Sequence, residues 1–389
     1  MTHDLREQFH LRRDIAFLNH GSFGACPKPV FEDYQRWQRE IEAEPVEFLG
    51  RRLNGLLAEA RRALGAFIGA DADDLVFVTN ATVGLNIVAH SIPLERGDEV
   101  LGTDHEYGAM DRMWEMVCAS RGARYVRHAV PVPFSDASRV VDAIWSGVSD
   151  RTRVLFLSHI SSPTALIFPI KELMDRARAR GIITVVDGAH VIGQLPLDLH
   201  ALGADFYSSN THKWLLAPKG SAFLYARREM HKLVQPLVVS WGQAGDPPPA
   251  TRFVPDNEWQ GTRDPSAFLA VPAAIRFQRE HDWDAVRTRC HQLLREARER
   301  VAAITGQPAL CADDPSWYSQ MASLPLPACD PVVLQRRLFD EHKVEVPTVS
   351  WGGRRFVRVS VQGYTEPWEI DALVDGLKTL LPQVAAATA

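Results

Sequence analysis

The chain has 389 residues, of which 46% are hydrophobic and 23% are charged, and its formal net charge at pH 7 is −5. This length favours two domains, each with an ordinary buried core. The acidic balance argues against nucleic acid or an anionic membrane as a partner, and no apolar run is long enough to cross a bilayer.

Five cysteines, an odd number, are scattered along the chain without the spacing of a metal site. Reduced thiols in a cytoplasmic protein, with no bound metal, are the simplest interpretation. Residues 1–8 contain no apolar stretch, so we expect no secretory signal there.

The first half of the chain alternates between strand-like and helical patterns. Residues 15–19 form a short apolar run, residues 20–24 resemble a turn, and residues 30–44 and 51–67 have helical periodicity. Six strand-like runs follow, at residues 75–78, 99–101, 154–157, 182–186, 205–207 and 221–224. Helices are predicted among them at residues 83–89, 109–120, 138–147 and 170–179. This alternation predicts an α/β fold in which a mostly parallel sheet lies between helices.

The second half is organised differently. Residues 242–264 are rich in glycine and proline and are predicted to form a loop or linker. A long helix follows, with an apolar stripe from Trp283 to Ile304, and the remainder mixes strands and helices. We therefore predict a large domain over residues 20–255 and a smaller α+β domain formed by residues 1–19 and 256–389.

Two residues that follow strand-like runs suggest a cofactor. Asp187 closes the run at 182–186, and Lys213 comes after the run at 205–207, inside His212-Lys213-Trp214. A lysine with apolar flanks has a lowered pKa and a nucleophilic amine at neutral pH. Pyridoxal phosphate fits this pair, because a lysine bonds to its aldehyde and a carboxylate keeps its ring nitrogen protonated. Lys219 is the competing lysine, in a Pro-Lys-Gly turn typical of exposed sites, and Asp187 is alternatively an ordinary helix cap.

The segment Asn80-Ala81-Thr82 follows the run at 75–78 and opens a predicted helix. Free N–H groups at a helix start bind anions. Threonine and asparagine are also common caps, so the interpretation depends on Lys213 and Asp187. Taken with them, the segment predicts a phosphate cradle in which Ala81 and Thr82 donate and His212 adds a side-chain contact.

Three further residues follow predicted strands at the same sheet edge. Tyr107 is expected to stack on the cofactor ring, with simple packing against a helix start as the alternative. Ser162 is the candidate partner of the ring hydroxyl. His190 contacts the same hydroxyl or is a structural histidine.

Arg358 lies in the alternating segment Phe356-Val357-Arg358-Val359-Ser360. An arginine on the inward face of a strand is unusual unless it meets an anion. The α-carboxylate of an amino-acid substrate fits, through a bidentate pair. The alternative is an arginine at a strand edge in an ordinary ion pair.

These residues resemble those of a known family. The chain is similar to fold-type I pyridoxal phosphate enzymes, specifically the class V aminotransferase group and, within it, isopenicillin N epimerase-like proteins. The motifs that carry the resemblance span nearly the whole chain and are Phe17-Leu18-Asn19-His20-Gly21-Ser22, Asn80-Ala81-Thr82, Glu106-Tyr107, Asp187-Gly188-Ala189-His190, His212-Lys213-Trp214, Gln260-Gly261-Thr262-Arg263, Glu345-Val346-Pro347 and Arg358-Val359-Ser360.

The resemblance implies an aspartate aminotransferase-like fold with a seven-stranded sheet, and a homodimer whose active sites lie at the interface. It implies that Thr262 reaches the phosphate held by the partner subunit. It also implies that the loop from Asn19 to Ser22 lines the substrate pocket, with Asn19 and His20 as its substrate-binding residues. The chain departs from the family at Ala165, where glycine is usual, and at Thr365, where asparagine is usual.

The resemblance leaves the reaction open. No cysteine lies between Lys343 and Arg358, which argues against a persulfide-forming cysteine desulfurase. Epimerisation, β-elimination by a C–S lyase and transamination remain, and all begin with removal of the α-proton, for which Lys213 is the natural base. Epimerisation also needs a proton donor on the opposite face, either Tyr107 or His20.

Epimerisation ranks first, because Trp351-Gly352-Gly353 and Glu345-Val346-Pro347 resemble the epimerase group most. A catalytically silent homologue that binds the cofactor is the non-enzyme alternative. A nucleotide-binding protein is disfavoured, because the chain lacks both the dinucleotide glycine fingerprint and a phosphate-binding loop.

Overall fold

The computed structural model of the protein describes residues 5–243 and 252–384. Its strands, numbered in chain order, are β1 (Ala16–Phe17), β2 (Leu75–Val78), β3 (Glu99–Thr103), β4 (Arg124–His128), β5 (Thr152–Ser158), β6 (Ile183–Asp187), β7 (Phe206–Ser209), β8 (Ala222–Ala226), β9 (Met321–Leu326), β10 (Val344–Glu345), β11 (Thr348–Trp351) and β12 (Arg354–Ser360). Its α-helices are α1 (His20–Phe23), α2 (Lys28–Ala43), α3 (Pro45–Glu47), α4 (Leu53–Ile68), α5 (Ala81–Ser91), α6 (Gly108–Arg121), α7 (Ala137–Trp145), α8 (Ile170–Ala179), α9 (Leu199–Leu202), α10 (Phe253–Glu258), α11 (Ser266–Leu269), α12 (Val271–Glu280), α13 (Trp283–Thr305), α14 (Pro331–His342) and α15 (Pro367–Leu380).

Seven strands form the large sheet, in the order β2-β8-β7-β6-β5-β3-β4. Strand β8 is antiparallel to both of its neighbours, β2 and β7. The other pairs in the sheet are parallel. The predicted fold class, a mostly parallel seven-stranded sheet between helices, is confirmed.

The sheet is buried on both faces, which explains why its strands are continuous apolar runs. Along β5, Val154 and Phe156 belong to one core cluster, together with residues of α5 and α6. Leu155 and Leu157 belong to the other cluster, together with residues of α8. Successive side chains of a strand point to opposite faces, so each strand contributes to both cores.

Strand β4 has no counterpart among the six predicted runs. It lies at the edge of the sheet, paired on one side to β3. Arg124 and Arg127 are exposed, because an edge strand has little surface to bury. The apolar signal that identifies the central strands is therefore absent here.

The predicted loop at 242–264 is wrong in part, because it contains the helix α10. Glu258 at the end of α10 is buried, forms an ion pair with Arg61, and accepts a hydrogen bond from the Phe77 N–H at 3.2 Å. These contacts attach α10 to α4 and β2. Residues 244–251, the glycine- and proline-rich part of the prediction, lie outside the described residues.

A second, antiparallel sheet has the order β11-β12-β9. Strand β1 pairs in parallel with β10, so residues near the start of the chain lie against its C-terminal third. Glu369 joins the same region, because it accepts hydrogen bonds from the Phe17 N–H at 2.7 Å and from Arg6 at 3.0 Å. These contacts bring the segment 19–22 close to β12.

None of the helices in the described ranges is both long enough and apolar enough to traverse a bilayer.

Candidate active site

A cavity of about 630 Å³ lies at the carboxyl ends of β2, β5, β6 and β7, where open α/β sheets bind ligands. Strand β12 of the small sheet contributes Arg358 to the opposite wall. Nine of the residues predicted for the site line this cavity: Ala81, Thr82, Tyr107, Ser162, Asp187, His190, His212, Lys213 and Arg358. The structure thus brings together residues that are up to 277 positions apart (358 − 81).

Lys213 lies in the turn between β7 and β8. Burial lowers the pKa of its amine to about 7, and the positive charge of Arg358 acts in the same direction. Asp187 opposes this shift through its negative charge. At neutral pH a large fraction of the amine is therefore unprotonated, which a nucleophile or a base requires.

Asp187 ends β6, and its carboxyl group is buried. Burial raises the pKa of this group. Its Oδ1 accepts a hydrogen bond from the Ala189 N–H at 2.9 Å, the one hydrogen bond to this carboxylate within the described residues. A buried carboxylate with unused acceptor capacity fits a protonated ring nitrogen, as the cofactor hypothesis requires.

At the start of α5, one of the two predicted phosphate donors already has an acceptor within the protein. Asn80 caps the helix by accepting from the Val83 N–H at 2.9 Å. The Ala81 N–H donates to Asn210 Oδ1 at 2.8 Å, so its predicted role as a phosphate donor is not supported. Thr82 lines the cavity. Its N–H lies in the first turn of α5, where backbone N–H groups have no acceptor within the helix. Asn210 was missed, because nothing local to Ala81 indicates a partner 129 residues away.

His212 lines the same part of the cavity. Its Nδ1 lies 2.8 Å from the Ser221 carbonyl, so Nδ1 carries a proton and donates. Burial lowers the pKa of the imidazole to about 4. In the neutral ring Nε2 has no proton, so the predicted donation from Nε2 to a phosphate would require the doubly protonated form, which a phosphate charge favours.

Tyr107 caps the start of α6 and is 45% exposed, with its ring at the cavity wall. Just before it, the buried Glu106 accepts hydrogen bonds from Thr103 Oγ1 at 2.7 Å and from Ser158 N at 2.8 Å. Burial raises the pKa of Glu106 to about 7. The carboxyl group joins the ends of β3 and β5 and so fixes the backbone that carries Tyr107.

Arg358 is a buried cation without a carboxylate partner among the described residues. It is 7% exposed and donates to the Ser162 carbonyl at 2.8 Å, to Ser162 Oγ at 3.0 Å and to Ser22 Oγ at 3.3 Å. Its Nε is buried without an acceptor. Burial lowers its pKa to about 10, which leaves it charged at neutral pH. The ion-pair alternative is therefore not supported, and a bound anion is what the guanidinium lacks.

Ser162 and Asn19 have hydrogen-bond partners that the sequence did not indicate. Ser162 lines the cavity but directs both of its oxygens to Arg358. Asn19 does not line the cavity; it accepts from Ser22 Oγ at 2.5 Å and donates to Glu345 at 3.0 Å. Glu345, Asn19 and Ser22 thus form a chain of hydrogen bonds that ends at Arg358. Ser22 belongs to the segment 19–22 that was predicted to line the substrate pocket, and it does line the cavity.

His20 is fully buried and does not line the cavity. Its Nδ1 is 2.9 Å from the Tyr364 hydroxyl, and its Nε2 is 3.1 Å from the Lys213 carbonyl. Burial lowers the pKa of its imidazole to about 3, so the ring is neutral near neutral pH and directs its one N–H at the Lys213 carbonyl. Both ring nitrogens face protein groups, so the structure gives no support to the predicted proton transfer to, or binding of, the substrate by His20.

Two remaining predictions concern the rim of the cavity. Lys219 lines the cavity and is exposed, as expected for the competing lysine. Thr262 lies outside the cavity of this single chain. Its predicted contact is with the site of a partner subunit and stays a prediction.

Comparisons with known proteins identify relatives over the full length of the chain. The family model for aminotransferase class V matches residues 23–373. The chain is 37% identical over 388 residues to an isopenicillin N epimerase from Streptomyces clavuligerus, covering 97% of this chain and 98% of that one. It is 29% identical to a putative L-cysteine desulfhydrase from Oryza sativa, covering 97% and 86% of the two chains. Among solved structures, a cysteine desulfurase from Thermococcus onnurineus has the same fold, with a TM-score of 0.81, 21% identity and 98% of each chain covered.

Proposed function

The chain belongs to the aminotransferase class V family, and we propose that it is an epimerase that inverts the α-carbon of an amino acid. Its cofactor is pyridoxal 5′-phosphate. When bound, this cofactor withdraws electrons from the α-carbon of an attached amino acid and so makes the α-proton removable. The residues of the cavity have the chemistry to hold it.

The cofactor end of the cavity is formed by the large sheet. Lys213 attaches the cofactor through its amine, and Asp187 holds the ring nitrogen in its protonated form. Thr82 and His212 bind the phosphate, and Tyr107 packs on the ring. His190 lies 3.3 Å from the Lys213 amine and binds the ring hydroxyl.

The substrate end is formed by Arg358, which binds the α-carboxylate. Arg358 and Lys213 line the same cavity, which supports a bound amino acid whose α-carbon lies near the Lys213 amine. Lys213 removes the α-proton, because its lowered pKa leaves a large fraction of the amine unprotonated near neutral pH. Tyr107 returns a proton on the other face; with His20 facing protein groups, Tyr107 is the remaining candidate of the two.

The observation that carries the proposal is the buried guanidinium of Arg358, without a carboxylate partner among the described residues, in the same cavity as Lys213. A site with this pair is built for a molecule that has both an amine and a carboxylate. Inversion is preferred among the reactions of such a molecule because of the 37% identity to an isopenicillin N epimerase over nearly the whole chain.

β-Elimination by a C–S lyase is the second candidate. The identity to a putative L-cysteine desulfhydrase supports it. The placement of His20 also supports elimination. That reaction needs one base and a leaving group on the substrate, and Lys213 alone can be the base. A persulfide-forming desulfurase is disfavoured, because none of the cavity-lining residues is a cysteine.

The assembly and location of the protein complete the proposal. We infer a cytoplasmic homodimer in which Thr262 reaches the phosphate of the partner's cofactor. The division into a large domain, 20–255, and a smaller one, 1–19 with 256–389, is retained as part of it. Transamination and a silent cofactor-binding homologue are the remaining alternatives.

The reaction is tested by incubating the purified, cofactor-loaded protein with single amino acids in heavy water. Proton NMR and chiral chromatography then follow the α-carbon. Deuterium at the α-carbon with inversion is the expected result. Pyruvate and ammonia, or a released thiol, would establish elimination instead. A keto acid that forms only when a second keto acid is added would overturn both candidates in favour of transamination.

A further inference from the structure

Trp214 follows Lys213 directly, is fully buried, and points its indole N–H at a histidine of the active site. Its Nε1 donates to His190 Nδ1 across 3.3 Å. The other ring nitrogen, His190 Nε2, is 3.3 Å from the Lys213 amine. Trp214, His190 and Lys213 therefore form a chain of three polar groups, with the imidazole in the middle.

The direction of the hydrogen bonds in this chain follows from its first member. An indole N–H donates and never accepts, so His190 Nδ1 must be the acceptor. A neutral imidazole has one N–H, so the proton of His190 is on Nε2. Because Nε2 then donates, the Lys213 amine must offer a lone pair, and only the unprotonated amine has one.

The surroundings of His190 keep it neutral. It is 3% exposed, and burial lowers its pKa well below the usual value. The charges of Lys213 and Arg358 act in the same direction. In a doubly protonated ring the Nδ1–H would face the N–H of Trp214, and two donors that face each other repel.

We propose that Trp214 is a positioning residue of the active site: through the tautomer that it imposes on His190, it holds Lys213 in the unprotonated, nucleophilic form. This inference rests on the proposed role of Lys213 as the reactive lysine. It goes beyond that role because it gives a cause for the unprotonated state of Lys213. That cause is the buried side chain of Trp214, which does not line the cavity.

Other groups around the amine also bear on its protonation. Arg358 favours the unprotonated amine, and Asp187 favours the protonated one. Two further imidazoles, His20 and His212, belong to the same cluster, and burial lowers the pKa of each. The contribution of Trp214 must therefore be measured as a change against this constant background.

The test uses the full chain with its cofactor removed and a reagent that labels unprotonated amines, trinitrobenzenesulfonate. The rate of labelling at Lys213 is followed by mass spectrometry as a function of pH, in the wild type and in Trp214→Phe. Phenylalanine keeps most of the apolar volume but has no N–H. We expect the midpoint of the Lys213 profile to rise by about one pH unit, so that labelling below the midpoint slows about tenfold.

Trp283→Phe is the matched control. Trp283 is also buried and donates its indole N–H, at 3.1 Å, but to the Gly193 carbonyl and not to His190. We expect its Lys213 profile to coincide with that of the wild type. Nitrogen-15 NMR of labelled histidines gives a second readout, in which Trp214→Phe alone loses the Nε2-protonated signature of His190.

A pair of variants at position 190 keeps the inference testable if Trp214→Phe does not fold. In His190→Gln the amide oxygen accepts from Trp214 and the amide N–H donates to the amine, so the midpoint should stay where it is. His190→Leu removes both bonds and should raise it. Equal midpoints in this pair, or in the wild type and a folded Trp214→Phe, would overturn the inference. If wild-type Lys213 labels no faster at pH 7 than the exposed Lys219, the proposed role of Lys213 itself fails.

Discussion

The large sheet and the small sheet each bring a basic side chain to the cavity, but only one of the two has a carboxylate acting on it. Lys213, at the end of β7, is influenced by Asp187 at the end of β6. Arg358, on β12, is bound by hydroxyl and carbonyl oxygens, with no acidic partner in the described part of the chain. The cofactor end therefore contains an acidic group of its own, whereas the substrate end has none among the described residues and depends on a bound ligand for negative charge.

This difference implies different consequences when each end is altered. A change at the cofactor end should remove the chemistry, because its groups act on the reacting atoms. A change at the substrate end should weaken binding and leave the chemical step less affected. The predictions below test this division, from the largest effect to the smallest.

Lys213→Ala should have the largest effect, a loss of activity on the order of 10⁴-fold or more, because it removes both the attachment point and the base. The absorbance of attached cofactor should disappear as well. Lys219→Ala is the control, since Lys219 lines the same cavity but is exposed. Comparable losses in the two variants would contradict the assignment of Lys213.

Asp187→Asn should lower kcat about 10³-fold, because an amide cannot hold a ring nitrogen in its protonated form as an anion does. The absorbance spectrum of the bound cofactor should change, while the KM for the substrate changes little. Asp205→Asn is the control for lost stability. Asp205 is also buried and forms an ion pair with Arg227 at 2.6 Å, but it does not line the cavity. A normal spectrum in Asp187→Asn would show that the carboxylate does not meet the ring.

The cofactor end is also the part that the sequence predicted best. Lys213 and Asp187 were found because each follows an apolar strand, and the ends of parallel strands meet at one sheet edge. For His20 and Ala81, by contrast, the structure shows hydrogen bonds that the sequence did not indicate. Their hydrogen-bond partners, Tyr364 and Asn210, are distant in sequence, and no local pattern records where a side chain finds such a partner.

Strand β4 and helix α10 were missed because their positions depend on tertiary contacts. An edge strand needs no apolar run, and α10 is fixed by the contacts of Glu258 with Arg61 and Phe77. The substrate end shows the same limit. The motif around Arg358 indicated an anion site, but the serines that orient the guanidinium lie 196 and 336 residues away.

Arg358→Lys should raise the KM for the substrate about 10²-fold with a smaller effect on kcat, because an ammonium group cannot form the bidentate pair. The control is Arg355→Lys, three residues away on β12 and hence on the opposite face of the strand, outside the cavity. Steady-state kinetics separate the two constants. A loss confined to kcat would place Arg358 in the chemical step and break the division between the two ends.

Ser22→Ala should have a smaller effect than Arg358→Lys, an increase in KM of about threefold to tenfold. The hydroxyl of Ser22 accepts from Arg358 at 3.3 Å and donates to Asn19 at 2.5 Å, so its loss frees one edge of the guanidinium. Ser162→Ala should weaken binding less, because the Ser162 carbonyl, 2.8 Å from Arg358, remains. If the two serine variants reversed this order, the hydroxyl of Ser162 and not the relay from Asn19 would be what orients Arg358. If Ser22→Ala lowered kcat and left KM unchanged, the segment 19–22 would belong to the cofactor end, and the substrate end would consist of β12 and the loop of Ser162 alone.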